Sequence, residues 1–146
     1  LLDYPLNNLG IVQCIDAKKT IDRLNIQKVY SSSLLRSKQT VKLVIDKKAI
    51  ILKELDERDF GILAGLKKVN YKKNFFSKGE SNYRLKNRVS KVFKKIDLES
   101  NPLIVSHSRV FKTICEILQI KSNGIKNCEI VKFKEIIKDD WKISYF

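Results

Sequence analysis

The sequence has no methionine, one histidine (His107), one tryptophan and only three cysteines. It also has no run of about 18 uncharged apolar residues, which excludes a membrane-spanning helix. A single histidine rules out any site that needs two from this chain. Cys14, Cys115 and Cys128 make an odd count with no C-x-x-C spacing, which argues against a disulfide framework and against a zinc ribbon. The lack of methionine extends to position 1, and Leu1-Leu2-Asp3-Tyr4-Pro5 reads like the middle of a loop. The expectation is a fragment without its N-terminus, the alternative being a mature chain that starts here after processing.

What is present suits one folded domain. The length, 146 residues, is that of a single unit, and 43% hydrophobic residues can supply its core. Ile, Leu and Val recur from end to end, which rules against disorder. Thirty Lys and Arg against 16 Asp and Glu give a formal charge of +14. Such an excess suits anionic partners, but the lysines are dispersed in pairs such as Lys18-Lys19, Lys47-Lys48 and Lys94-Lys95. No block of five like charges and no aromatic–basic interleaving appears, so the charge reads first as a solvated surface. No nucleic-acid partner is expected.

Periodicity orders the chain. Apolar positions predict helices over Gly10–Leu24, Leu34–Lys47, Asn82–Ile96 and Phe111–Ile120. Short apolar runs predict strands at Gln27–Ser31, Ala49–Leu52 and Leu103–Ser106. Cys128–Ile136 and Trp141–Phe146 read as a hairpin about Lys138-Asp139-Asp140. Lys53–Lys78 reads as a long loop. The alternation predicts an α/β fold, an α/β/α three-layer sandwich with a mostly parallel central sheet in a single domain. Sites in such folds lie at the carboxyl ends of strands.

Three polar segments fall at such ends. Ser31 to Thr40 runs from a strand through three serines into a helix, whose N-terminus attracts anions and whose first turn carries Arg36, a bidentate fork for phosphate. Serine capping with a solvated Arg36 is the plain alternative. His107 follows an apolar strand directly: neutral it accepts a proton, protonated it stabilises a phosphoryl oxygen, and it is equally a buried histidine satisfied by backbone. Leu55 to Gly65 gathers Asp56, Glu57 and Asp59 with Arg58. A desolvated carboxyl there can protonate a leaving group; otherwise the segment is a charged surface loop.

Taken in order, the segments resemble the histidine phosphatase superfamily, with its phosphoglycerate-mutase-like fold. Asp3-Tyr4-Pro5-Leu6 through Gly10 and Gln13 resembles D-x-P-L-T-x-x-G-x-x-Q. Ser31-Ser32-Ser33-Leu34-Leu35-Arg36-Ser37-Lys38-Gln39-Thr40 resembles S-S-P-L-x-R-A-x-Q-T. Leu55 to Gly65 resembles L-x-E-x-x-x-G-x-L-x-G, Gly79-Glu80-Ser81 matches G-E-S, and Val105-Ser106-His107-Ser108 resembles V-S-H-G. The resemblance implies that Arg36 clamps phosphoryl oxygens, that His107 is the second histidine of that pocket, and that Glu57 protonates the leaving oxygen. It further implies substrate contacts from Arg58 and Ser108, a small phosphorylated substrate, no cofactor and no metal. Neither membrane nor nucleic acid is implied, and a cytoplasmic location is expected.

The family's R-H-G motif, whose histidine takes the phosphoryl group, is absent; in the family it lies just before the stretch matched by Asp3 to Leu6. The resemblance implies that it belongs to a sheet strand beside Leu103–Ser106, so residues 1–146 are expected to form no phosphohistidine. Ser33 replaces the usual proline and Ser108 the usual glycine. The short stretch from Lys67 to Lys78 favours a small phosphatase over a mutase. The alternative is a phosphatase-like protein that binds a phosphorylated ligand without turnover.

Overall fold

The computed structural model describes residues 2–61 and 79–146. Helix α1 (Asn8–Ile21) starts where the Asn7 side chain accepts from the Gly10 N–H at 2.8 Å, a cap that the apolar spacing alone does not reveal. Strand β1 (Val29–Ser31), helix α2 (Leu35–Val44) and strand β2 (Ala49–Ile51) follow, then one tight turn of 3₁₀ helix at Lys53–Leu55. Residues 62–78, most of the loop predicted over Lys53–Lys78, lie outside the described residues. Helix α3 (Asn82–Ser90) is capped by Ser81, as the sequence suggests. Strand β3 (Leu103–Val105), helix α4 (Ser108–Ile117) and the strands β4 (Val131–Ile137) and β5 (Asp140–Tyr145) complete the chain.

The sheet is parallel in the order β2-β1-β3, with Tyr30 opposite Ile50 on one side and Ile104 on the other. Strand side chains alternate between the two faces, and successive residues of β1 therefore enter different cores. Val29 packs with Ile26 and Val41 on the side of α1 and α2. Tyr30 packs with Leu85, Val89, Val110 and Ile114 on the side of α3 and α4. Two helical layers around one sheet give the three-layer arrangement predicted. Antiparallel β4 and β5 form a separate hairpin, joined to the second core through Phe133, whose ring meets Phe111 edge-on at 5.9 Å. Among the described residues the outer edge of β3 carries no strand partner.

All four helices depart from their predicted bounds: α1 ends at Ile21 and not Leu24, and α2 at Val44 and not Lys47. The helix expected over Asn82–Ile96 stops at Ser90 and tightens into a 3₁₀ turn at Val92–Lys94. The change of pitch keeps Val89, Val92 and Ile96 all in the same core. The helix expected from Phe111 starts at Ser108, with His107 in extended conformation as its N-cap residue. His107 is thus pinned between the end of β3 and the first turn of α4, a junction that leaves it little freedom.

Candidate active site

β1 delivers three serines to the carboxyl edge of the sheet, and none caps α2 through the side chain: the N-cap position is Leu34. Ser32 and Ser33 bind Asp56 instead, and Ser31 Oγ donates to the Ser32 carbonyl at 3.0 Å. Ser32 Oγ donates to Asp56 Oδ1 at 2.9 Å, the Ser33 N–H to the same oxygen at 2.6 Å, and Ser33 Oγ to Oδ2 at 2.7 Å. The helix N-terminus is met by an anion from the chain itself, for Asp3 Oδ1 accepts from the Leu35 N–H at 2.6 Å. Asp3 is a good partner there, since exposed N–H groups and the helix dipole both favour a carboxylate. Arg36, on that first turn, donates from Nη1 to the Leu2 carbonyl at 3.3 Å.

His107 reaches into this turn from β3. Its Nε2 lies 2.9 Å from Ser32 Oγ and 3.3 Å from Ser37 Oγ. The tautomer follows by counting. Ser32 has one proton, given to the Asp56 carboxylate, and its oxygen already accepts from the Leu34 N–H at 3.1 Å. The remaining lone pair accepts, so Nε2 carries the hydrogen. Burial of the imidazole, then the positive charges of Arg36 and Arg88, pull its pKa down to about 4 against the opposing pull of Asp56 and Asp3. The ring is therefore neutral at neutral pH.

Glu57 lies on the other side of Asp56. Its Oε1 accepts from the Arg58 N–H at 2.8 Å, and it lines an open cavity of about 390 Å³ with Lys53, Asp59, Glu80, Arg84 and Arg88. The walls of that cavity include neither Arg36 nor His107; Asp56, which also lines it, is the link between the two halves. Arg58 is only 8% exposed, its Nε donating to the Glu80 carbonyl and its guanidinium lying 5.5 Å from the Phe60 ring centre. Ser108 opens α4 and is exposed. Ser106 Oγ donates to the Leu55 carbonyl at 2.7 Å, tying β3 to the acidic segment.

A second polar knot underlies the cavity. Arg88 grips the Glu80 carboxylate with Nε and Nη2, both at 2.7 Å, and gives Nη1 to the carbonyls of Glu54 and Asp56. Gly79 explains its own place beside Glu80: a Cβ there would stand 2.7 Å from the Asp59 carbonyl oxygen, and the Glu80 N–H donates to that oxygen at 2.7 Å. Sequence reasoning passed over Ser32, Ser37 and Arg88 as individual site members. The serine triplet was a visible signal, but its partners lie 24 and 75 residues away. Among the described residues no group of three His, Cys, Asp or Glu could hold a metal ion, and no helix is long and apolar enough to cross a membrane.

Serines and a neutral imidazole meet at the carboxyl edge of the parallel sheet of an α/β protein, with Arg36 on the neighbouring helix turn. The family follows from comparison: residues 1–143 match the model of the histidine phosphatase superfamily (branch 1), and the chain belongs to that superfamily. A search of curated proteins finds no match. Among solved structures, the chain is similar to a phosphoglycerate mutase from Thermus thermophilus, at 22% identity with a TM-score of 0.75 over 88% of this chain and 78% of that one. It is similar also to a candidate alpha-ribazole-5'-P phosphatase from Escherichia coli K-12, at 19% identity and a TM-score of 0.75, over 97% of this chain and 82% of that one. At these identities the likeness establishes the fold, the phosphoglycerate-mutase-like one.

Proposed function

We propose that the complete protein hydrolyses phosphoric monoesters through a phosphohistidine, on a nucleophile that these 146 residues do not contain. The observation that carries this reading is the meeting of His107 with Ser32 and Ser37 beside Arg36, at the ends of β1 and β3. Phosphoryl transfer demands positioning and positive charge around the equatorial oxygens. Arg36 supplies a planar fork, and His107 supplies an N–H donor whose ring, beside a dianionic phosphoryl group, takes up a proton from solvent to become an imidazolium. Glu57 gives a proton to the leaving oxygen and then activates water. Ser108 contacts the substrate from the start of α4. A contact from Arg58 requires its guanidinium to turn from the Glu80 carbonyl. The nucleophile arrives on an R-H-G strand that pairs with the outer edge of β3, where backbone groups can take a partner. The substrate is a small phosphorylated molecule, and no cofactor or metal is required.

The test is p-nitrophenyl phosphate turnover by the protein extended upstream through an R-H-G segment. His107→Ala and Arg36→Ala should each lower kcat/KM by at least about 100-fold, the scale of losing one transition-state donor, while the fold survives. Full activity in both variants would overturn the assignment. Residues 1–146 alone should show no turnover, and a phosphatase-active preparation of them would overturn the missing-nucleophile reading. The single histidine of the chain also favours a second reading, phosphate binding without turnover. An upstream sequence without R-H-G, together with calorimetric binding of a phosphate ester, would select it.

A further inference from the structure

Cys14 and Cys128 are 114 residues apart in sequence, yet their Sγ atoms stand 3.5 Å apart. Cys14 sits on α1 with none of its surface exposed, and its thiol also reaches Thr40 Oγ1 on α2 at 3.6 Å. Cys128 precedes β4 in a left-handed backbone conformation (φ 54°), which a non-glycine residue holds only where its surroundings fix it. Around them Ile21, Val44, Leu103 and Ile130 close an apolar cluster. The pair is approached from one side by a cleft of about 300 Å³ between α1 and the hairpin, lined by Gln13, Ala17, Thr20, Asn127, Cys128 and Phe146. One sulfur can therefore be reached from solvent while its neighbour stays covered.

We propose that Cys14 and Cys128 are a redox-responsive pair that closes to an intramolecular disulfide, stapling α1 to the hairpin. The oxidant is a low-molecular-weight disulfide. The Cys128 thiolate attacks one of its sulfurs, forming a mixed disulfide and expelling the first thiolate. The Cys14 thiolate then attacks Cys128 Sγ, the mixed bond breaks and the second thiolate leaves. Two electrons pass to the oxidant, and the two protons lost by the cysteines return to the two thiols released. Sulfurs at van der Waals contact need to approach by roughly 1.5 Å to bond at about 2.05 Å, a distance within reach of side-chain rotation. Burial and the adjacent Cys14 thiol push the Cys128 thiol up from its ordinary value, so the attack is slow at neutral pH and the pair acts as a staple and not as a fast sensor. Cys115 takes no part: it is buried on α4, away from the pair. The proposal stands apart from the phosphoryl chemistry.

The test is incubation of the full chain with oxidised glutathione, followed by thiol counting, intact mass and tryptic mapping. Two of three thiols should disappear with a mass loss of about 2 Da, the two hydrogens given up when a disulfide forms. Residues 1–18 and 127–132 should appear as one cross-linked peptide, with Cys115 free in residues 113–121. The oxidised protein should melt about 5 °C or more above the reduced one, because closing a long loop restricts the unfolded chain. The Cys115→Ser variant should keep the cross-link and Cys128→Ser should lose it. A lasting glutathione adduct on Cys128 with Cys14 still free would overturn the proposal, as would three titratable thiols at every oxidant ratio. Both readouts come from the natural sequence and hold if a variant fails to fold.

Discussion

Two polar knots lie side by side at the carboxyl edge of the sheet, and they are built on opposite terms. In the Arg88 knot every donor named has an acceptor: two on the Glu80 carboxylate and two backbone carbonyls. The charge is neutralised by a bidentate partner that is itself only 15% exposed. In the His107 knot hydroxyls surround the ring, but nothing stabilises its charged form enough to offset burial, and its pKa falls to about 4. The first knot is in balance and serves the fold. The second leaves the imidazole without a counter-charge, which the bound phosphoryl group would supply under the proposed function.

Breaking the balanced knot should have the largest effect. Arg88→Ala strands the Glu80 carboxylate and withdraws donors from two carbonyls, so a loss of about 3 kcal/mol is expected in urea unfolding. A loss below about 1 kcal/mol, the range of an exposed pair, would mean that the knot is solvated in solution. Because the Arg88 charge also lowers the His107 pKa, the same variant should move the histidine titration upward. The chain has one histidine, so a single pair of imidazole NMR signals reads that shift directly.

The His107 knot should appear next, in the pH dependence of stability. A folded-state pKa of about 4 against an ordinary 6.5 means that the unfolded chain binds the extra proton between those values. Stability is then complete above about pH 6.5 and declines as pH falls toward 4, by an amount on the order of 3 kcal/mol. His107→Gln should flatten that decline. Phosphate should oppose it by favouring the imidazolium, so its binding should take up protons near pH 6. Equal slopes in the two proteins between pH 6.5 and 4 would contradict the assigned desolvation.

The sequence was legible where a single local rule decides the outcome. The order of elements, the parallel sheet, the hairpin and the Ser81 cap all follow from periodicity and capping preference. His107 and Arg36 were marked by their positions near strand ends; His107 lies against Ser32 and Ser37, while Arg36 bonds the Leu2 carbonyl. The serine triplet was the harder case: a serine before a helix is usually its cap, yet Ser32 and Ser33 gave their hydroxyls to Asp56, a carboxylate more than twenty residues on. Arg88 lay on the polar stripe of α3 and gave no sign of turning inward, because Glu80 and two loop carbonyls assemble around it only in three dimensions. The break after Ser90 likewise follows from core geometry, not from a helix-stopping residue.

The smallest expected effect separates the two hydroxyls around His107. Ser37 is 3% exposed on α2, but its oxygen is 3.3 Å from Nε2 against 2.9 Å for Ser32. One N–H cannot serve both equally, and the shorter contact takes it; Ser37 then offers only a secondary dipole. Ser37→Ala should therefore change stability by less than about 1 kcal/mol and leave the histidine titration nearly where it was. Ser32→Ala removes the acceptor of Nε2 and of the Leu34 N–H together with a donor to Asp56, and it should exceed Ser37→Ala in both readouts. If the order reversed, the hydrogen on Nε2 would point to Ser37. The imidazole would then be aligned with α2 and the Arg36 turn, and the link through Ser32 to Asp56 would not set its tautomer.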